Sequence, residues 1–279
     1  MSGTTPEGAR NEQEAARWVR SMFGGIAHRY DLANHLLSAN IDRYWRARTV
    51  RRVRPILERA DARVLDICCG TADLALALSA HHAVLASDFC HPMLAIARQK
   101  IAERRAAAAV FESDAMNLPV RDASLDLITV AFGFRNLASY EAGLAEMRRV
   151  LRPGGVALAV TNARDHVEAL NELVADVLQD LFGGERRNVR AYLRFSAESG
   201  AAELEASFAS VTRHELTSTL EITDADAVVA YVASMTETAR VNVGGGGAVL
   251  DQVRTRVRVI IQRDGAFRVG THVACFVCC

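Results

Sequence analysis

The segment Val64-Leu65-Asp66-Ile67-Cys68-Cys69-Gly70-Thr71-Ala72-Asp73 predicts a buried strand, a tight turn and the first residues of a helix. Residues 62–67 are short and apolar, as in a parallel strand that is covered on both faces. Gly70 permits a sharp turn and the close approach of a ligand. We expect side-chain oxygens of Thr71 and Asp73 to cap the helix over residues 74–80. This order predicts the nucleotide-binding corner of a doubly wound α/β sheet.

A second acidic position follows the next predicted strand. Residues 83–87 form that strand, Asp88 ends it, and residues 92–104 predict a helix. An acid at this point accepts hydrogen bonds from the two hydroxyls of a ribose. The first loop lacks the Gly-x-Gly-x-x-Gly run that seats a pyrophosphate, so the pair favours S-adenosylmethionine over NAD. A glycine turn and a surface acid in an unrelated α/β protein are the alternative.

The alternation of strands and helices continues along the chain and predicts seven strands. After the first two, the predicted strands cover residues 109–112, 125–132, 156–161, 211–222 and 265–278. Asp114 follows the third strand and faces the same crevice as Asp88. The fold class is therefore a mostly parallel, doubly wound, seven-stranded sheet of Rossmann-like type, with its last strand antiparallel. Asp165 and Asp224 are expected to cap later helices, at 167–182 and 225–235.

Length and composition limit the class of protein. The chain has 279 residues, half of them hydrophobic, and a formal net charge of zero. That charge argues against a general nucleic-acid partner. No apolar run reaches the length of a membrane span and the N-terminus is polar, so we expect a cytoplasmic protein. The expected organisation is a disordered tail at 1–11, a helical lid at 12–60 and the main domain at 61–279.

The lid has two interpretations, and so do its arginines. Around residues 28–34 the apolar residues lose their regular helical spacing. This is consistent with a lid over an active site, and equally with a pair of helices that simply covers a sheet edge. Arginines cluster in the second half, at Arg43, Arg46, Arg48, Arg51, Arg52, Arg54 and Arg59. They predict a solvated helix face, with contact to anionic lipid as the alternative.

The three cysteines at the end of the chain, Cys275, Cys278 and Cys279, are spaced as Cys-x-x-Cys-Cys. No matching second half or nearby histidine pair accompanies them. We therefore expect no metal site and interpret them as small apolar residues of a terminal strand.

Residues 20–155 resemble the ubiquinone/menaquinone biosynthesis C-methyltransferases, the UbiE family. The most specific matches are 28–31 (His-Arg-Tyr-Asp) and 132–136 (Phe-Gly-Phe-Arg-Asn). Further matches are 22–23, 26–27, 36–38, 41–46, 88–90, 92–94, 114–115, 118–119 and 149–155. Two departures stand out. Ala72 replaces the usual second glycine of the cofactor loop, where its methyl group is expected to crowd the cofactor. After residue 160 the chain is closer to general small-molecule methyltransferases.

The resemblance and the strand ends together give the candidate site. The resemblance implies S-adenosylmethionine as cofactor, bound by Asp66, Gly70, Thr71, Asp88, Phe89, Met93, Asp114, Ala115 and Ala131. It also implies methylation of a polyprenyl quinol ring, for which Tyr30, Asp31, Arg135 and Asn136 are the candidate catalytic residues and His166 an outside candidate base.

Other functions stay open at this point. One alternative is a methyltransferase of another small aromatic or secondary metabolite, and another is a non-catalytic protein that binds S-adenosylmethionine. The expected partner is a small, lipid-linked quinol; peripheral membrane contact and a homodimer are further expectations.

Overall fold

The computed structural model describes residues 3, 4, 6, 8–38, 41–183, 194–238 and 246–279; the side chains of 26, 28–38, 41, 42, 234–238 and 246 are not described. The strands are β1 (Val64–Ile67), β2 (Val84–Asp88), β3 (Ala108–Glu112), β4 (Leu125–Ala131), β5 (Leu151–Asn162), β6 (Val211–Ile222) and β7 (Phe267–Cys278). The helices are α1 (Glu12–Ser38), α2 (Ile41–Leu57), α3 (Asp73–Ser79), α4 (His91–Arg104), α5 (Tyr140–Val150), α6 (Glu168–Phe182), α7 (Gly200–Glu205), α8 (Ala225–Thr238) and α9 (Gly246–Asp264).

Within the described residues, the seven strands form one sheet in the order β3-β2-β1-β4-β5-β7-β6. The first five are parallel, and β7 is antiparallel to both β5 and β6. The chain leaves β1 toward β2 on one side and returns to β4 on the other. The carboxyl ends of β1 and β4 therefore flank the crevice where ligands bind in open α/β sheets. The predicted fold class is confirmed.

Helix α2 is built into one face of this sheet. Val53 and Leu57 of α2 are buried in one apolar cluster with Leu74 and Leu78 of α3 and Val64 of β1. Such burial stabilises by about 1.5–3 kcal/mol for each large aliphatic side chain. This packing attaches α2 to the sheet more firmly than is expected of a lid that opens and closes. The predicted domain boundary at residue 60 stays a prediction.

Helix α1 packs differently, against α8 and α4. Ala27 of α1 is buried with Cys90 and Met93, at and just before the first turn of α4. A separate apolar cluster joins α6, α8 and α9 to β6 and β7, away from the first strands. No helix among the described residues is long and apolar enough to cross a bilayer.

Two predicted helix caps are wrong. Ala72, not Thr71 or Asp73, is the residue before α3, and its own side chain makes no capping hydrogen bond. Thr71 and Asp73 instead accept hydrogen bonds from Lys100. The residue before α6 is Val167, with φ +52°. The Asp165 carboxylate lies 2.8 Å from the ring of His272 and does not cap this helix.

Other element boundaries moved modestly. Residues 198–208 have a helical pattern, but the helix there is only the short α7. The Arg-Pro-Gly-Gly sequence at 152–155 predicts a turn; in the structure it is an irregular part of β5 that is bulged against β4. Asp224 does accept a hydrogen bond from the second residue of α8, as predicted. The four glycines at 244–247 predict a loop, and this segment lies partly outside the described residues. Cys275 and Cys278 are buried in β7.

A buried carboxylate ties the end of the α2 segment to β4. Asp126 accepts hydrogen bonds from the backbone N–H of Arg63 at 2.9 Å and from the guanidinium of Arg59 at 2.6 Å, and it also contacts Arg152. Burial pushes its pKa upward, but the Arg63 N–H and the two guanidiniums outweigh this and hold the pKa below its usual value. This anchor lies at the amino edge of the sheet, opposite the crevice.

Candidate functional site

Carboxylates from the ends of three neighbouring strands converge beside the loop that follows β1. Asp88 accepts hydrogen bonds from the backbone N–H groups of Gly70 and Cys90, both at 2.9 Å. Burial raises the pKa of the Cys68 thiol well above its usual value, and the charges of Asp88, Asp66 and Asp114 raise it further. All three carboxylates therefore lie close enough to Cys68 to affect its pKa, as expected for neighbouring strands that end at one edge of the sheet. Their charges give the crevice a negative electrostatic potential.

Asp66 is the most deeply buried of these acids, with 1% of its surface exposed. Its Oδ1 accepts a hydrogen bond from the hydroxyl of Thr129 on β4 at 2.6 Å, while its Oδ2 has no hydrogen-bond partner among the described residues. Burial raises the pKa of Asp66 to about 7, against the opposing effects of hydrogen bonds from the Thr129 hydroxyl and from the backbone N–H of Ala75. A buried carboxylate oxygen without a donor is costly, so it suits a site that receives a cationic or hydrogen-bond-donating ligand.

The loop between β1 and α3 has an unusual backbone. Gly70 has φ +55°, and a Cβ built on it would meet no atom within 4 Å, so this side of the loop is open. Cys68 and Ala72 also have positive φ, +51° and +67°. Ala72 is fully buried in the apolar cluster of α3. Its methyl group therefore packs into the core, which argues against the predicted crowding of the cofactor.

Charged side chains from α2 and α4 contact this loop and the first residue of α3. The ammonium of Lys100 on α4 donates to Asp73 at 2.6 Å and to the Thr71 hydroxyl at 3.1 Å. The guanidinium of Arg46 on α2 lies 3.5 Å from the other oxygen of Asp73. Because all three charged side chains are at most 17% exposed, solvent screens these interactions weakly. The network joins α2, α3 and α4 to the loop.

Both N-terminal helices touch the strand ends. Arg20 of α1 lies over the ring of Phe89, 5.3 Å from its centroid. Trp45 of α2 packs edge-to-face on Phe132, with ring centroids 4.9 Å apart and planes at 90°. Phe132 directly follows β4 and has φ +59°. The helices predicted as a lid thus lie against residues that follow β2 and β4.

The segment after β3 is positioned by Arg149. Its guanidinium donates to Glu146 and to the backbone carbonyls of Leu118 and Val120, and Glu146 accepts from the Leu118 N–H at 2.7 Å. Asp114 starts this segment, and its carboxylate accepts from the N–H of Met116. Ala115, next to it, is buried in the core.

The predicted catalytic residues are only partly described. Arg135 and Asn136 lie in a 3-10 turn at 134–136, just after β4 and Ala131. Asn136 donates to the Phe132 carbonyl at 3.4 Å, whereas the Arg135 guanidinium has no ion pair with any described side chain. Tyr30 and Asp31 lie within the backbone of α1, but their side chains fall outside the described residues.

The outside candidate His166 is tied to the backbone of β7. Its Nδ1 accepts a hydrogen bond from the N–H of His272 at 3.0 Å, so this ring nitrogen is not a free base.

Sequence reasoning assigned no role in the site to Thr129, Trp45 or Lys100. Thr129 lies on a strand, and no local pattern marks it as a partner of Asp66. Trp45 stood in the family-like stretch at 41–46 without an assigned contact. Lys100 carried the clearest signal, since it is the only lysine of the chain.

Residues 9–176 match the model of the ubiE/COQ5 methyltransferase family. The chain belongs to this family. The match extends beyond both ends of the resemblance at 20–155, so the family region includes the N-terminal helices and most of α6. Curated relatives include the demethylmenaquinone methyltransferase of Thermus thermophilus, 49% identical over 137 residues, which are 48% of this chain and 61% of that protein. That of Deinococcus radiodurans is 44% identical over 148 residues, or 52% and 60% of the two chains.

The chain thus spans about 60% of the length of these two relatives. Solved structures support the fold alone. YcgJ of Bacillus subtilis superposes with a TM-score of 0.55 at 18% identity, over 82% of this chain and 97% of that one. A putative methyltransferase of Bacillus halodurans gives 0.54 at 17% identity, over 83% and 96%.

Proposed function

We propose that the chain transfers a methyl group from S-adenosylmethionine to a ring carbon of a demethylated polyprenyl quinol, in menaquinone or ubiquinone biosynthesis. The observation that carries the proposal is the grouping of Asp66, Gly70 and Asp88 at the crevice of a ubiE/COQ5 family member. The names of the curated relatives favour demethylmenaquinol as the substrate.

The residues present fit the cofactor. Asp88 lies at the tip of β2, where an acid holds ribose hydroxyls, and we propose that Asp114 and Ala115 contact the adenine. The unpartnered Oδ2 of Asp66 offers an acceptor to a cationic group. The remaining proposed contacts are Gly70, Thr71, Phe89, Met93 and Ala131. The bound cofactor would supply a methyl group that its sulfonium already activates.

The chain's own residues would then align and activate the acceptor. A ring carbon becomes nucleophilic when the neighbouring hydroxyl loses its proton, so an acceptor is needed near that hydroxyl. Tyr30 and Asp31 are the proposed acceptors on α1. Arg135, whose guanidinium has no described counter-ion, would stabilise the negative oxygen, and Asn136 would orient the ring. Trp45 and Phe132 would exclude water from the reaction.

Partners and location follow from such a substrate. A polyprenyl quinol resides in a bilayer, so we propose peripheral contact with the membrane surface for an otherwise cytoplasmic protein, and no nucleic-acid partner. The arginines of α2 would make that contact. A homodimer stays a prediction.

The test is a transfer assay with labelled S-adenosylmethionine, a demethylated polyprenyl quinol and a panel of small phenols. Label in the quinol supports the proposal; label only in a phenol supports a different methyltransferase. Cofactor binding without transfer to any acceptor would indicate a non-catalytic binding protein. Arg135→Gln should lower turnover at least a hundredfold, a magnitude typical of losing an oxyanion donor. Arg148→Gln, an exposed arginine of α5, is the matched control and should leave turnover unchanged.

A further inference from the structure

A basic groove lies between α2 and α3 and has a volume of about 370 Å³. Arg43, Arg46, Arg51 and Arg54 line it from α2, and Arg104 lines it from the end of α4. Asp73 is the one carboxylate in its lining, so the lining has a formal charge of +4. The whole chain has a formal net charge of zero, so this groove is a strong local concentration of positive charge.

Only part of that charge is neutralised within the described residues. Arg46 pairs with Asp73 at 3.5 Å, and Arg54 pairs with Glu58 at 2.8 Å. Arg43, Arg51 and Arg104 form no ion pair with any described side chain. Like charges held around one concave site repel one another, and an anion in the groove would relieve this repulsion.

The chemistry of the lining selects the kind of anion. Guanidinium groups present paired N–H donors that match phosphate oxygens in bidentate geometry. The volume is within the range of small-ligand sites, about 300–1,000 Å³. Leu76 and Ala77 of α3 form part of the lining, so a phosphate with an attached organic group would find apolar surface there.

We propose that this groove binds a phosphate group, carried either by an anionic phospholipid or by a small soluble phosphate. The groove is separate from the cluster of carboxylates at the strand ends, and Arg46 and Asp73 are the lining residues that it shares with the network around the cofactor loop. With the lipid as source, the groove would be the point at which α2 holds the protein on a membrane.

The test variant is the double substitution Arg51→Gln and Arg104→Gln. These residues belong to different helices, and neither touches the crevice. Arg46 is left intact because it also pairs with Asp73 beside the cofactor loop. The charge-matched control is Arg98→Gln and Arg148→Gln, two exposed arginines outside the groove. Circular dichroism and thermal melting of the full chain would show that all three proteins are folded.

Two measurements distinguish the sources. The first is co-sedimentation with phosphatidylcholine vesicles, with and without phosphatidylglycerol; the second is calorimetric titration with inorganic pyrophosphate. Each arginine near an anionic surface is worth about fivefold in affinity, so the test variant should lose about 25-fold, and the control less than threefold. Neither assay contains the cofactor or a quinol, so failure here leaves the proposed reaction untouched.

Selective loss with phosphatidylglycerol vesicles alone would support a lipid headgroup as the ligand. Selective loss of affinity for pyrophosphate alone would support a soluble phosphate as the ligand. Loss of affinity in both assays would support a site that recognises the phosphate group whichever molecule carries it. No binding of the unmodified protein in either assay would overturn the proposal. An equal loss in the test and control variants would overturn it as well, because only net charge would then matter.

Discussion

The ammonium of Lys100 lies 2.6 Å from the carboxylate of Asp73 and joins α4 to the first turn of α3. The same ammonium reaches Thr71 in the loop that follows β1. Both side chains are mostly buried, at 12% and 17% exposure. A charge-assisted bond in such a place is stronger than a surface ion pair and fixes the geometry of the groups it joins. Lys100 thus sets the position of the proposed cofactor loop.

Replacing Lys100 by Met should therefore weaken cofactor binding by about tenfold, since two hydrogen bonds to Thr71 and Asp73 are lost and Asp73 loses its nearest cation. Calorimetry with S-adenosylmethionine measures the effect. Arg98→Met, on the exposed face of the same helix, is the control. An unchanged dissociation constant for Lys100→Met would show that the loop holds its shape without this contact.

Lys100 also provides a chemical probe, because it is the only lysine in the chain. An amine-reactive reagent followed by peptide mass spectrometry reports on its accessibility. We expect Lys100 to react slowly, and faster in an Asp73→Asn variant that lacks the charged partner.

Ala72→Gly should change stability little. The left-handed backbone at Ala72 costs a non-glycine residue roughly 1–2 kcal/mol, and losing its buried methyl group costs about 0.8 kcal/mol. These terms nearly cancel, so the free energy of unfolding should stay within about 1 kcal/mol in urea denaturation. Ala75→Gly removes a buried methyl group from ordinary helical backbone and should destabilise by about 2 kcal/mol.

The same Ala72→Gly variant tests the predicted crowding of the cofactor. Since the methyl group packs into the core, we expect cofactor affinity to stay within threefold. A tenfold or greater increase would mean that the methyl group does crowd the ligand, as the sequence comparison suggested.

Trp45→Leu should separate cofactor binding from turnover. The substitution removes the edge-to-face contact with Phe132 but keeps an apolar side chain on α2. If α2 helps to exclude water from the reaction, turnover should fall more than tenfold while cofactor affinity changes less than threefold. Tyr44→Leu, at the exposed neighbouring position, should leave both unchanged. Equal losses in affinity and turnover would assign Trp45 a structural role instead.

The fold was largely predictable because its signals are local. The apolar runs of β1 and β4, the acid at the end of β2 and the glycine at 70 each follow from a few adjacent residues, and they placed the crevice correctly. The contacts of Lys100 were not predictable, since its partners lie 27 and 29 positions away and depend on how α4 packs beside α3. Asp165 illustrates the same limit. Its sequence position predicts a helix cap, but its carboxylate instead contacts the ring of His272, 107 positions away.

Asp66 should give the protein an unusual dependence on pH. Its pKa is raised in the folded state, from 3.8 to about 7, because burial disfavours the carboxylate. The folded chain therefore binds a proton that the unfolded chain has released, and stability from this group is full below about pH 4 and lost as pH rises toward 7. Across that window the effect is on the order of 4 kcal/mol, at about 1.4 kcal/mol for each pH unit.

Asp66→Asn keeps an acceptor for the Thr129 hydroxyl but cannot titrate, so it should abolish this part of the pH dependence. Urea denaturation at pH 4.5 and 7.5 measures it: the variant should gain stability relative to the unmodified protein as pH rises. Asp126→Asn is the contrasting control. The pKa of Asp126 is lowered in the folded state, so its stabilisation is present at neutral pH and is lost only as the solution becomes acidic.

Binding of the cofactor should lower the pKa of Asp66, which burial raises in the free protein. A bound cation favours the carboxylate and lowers its pKa, so affinity for S-adenosylmethionine should rise with pH up to about pH 7 and then level off. Asp66→Asn should bind weakly and without this pH dependence. An unmodified protein whose cofactor affinity is flat between pH 5.5 and 7.5 would show that Asp66 does not exchange its proton for the ligand's charge, and its unpartnered oxygen would then need a donor from within the protein.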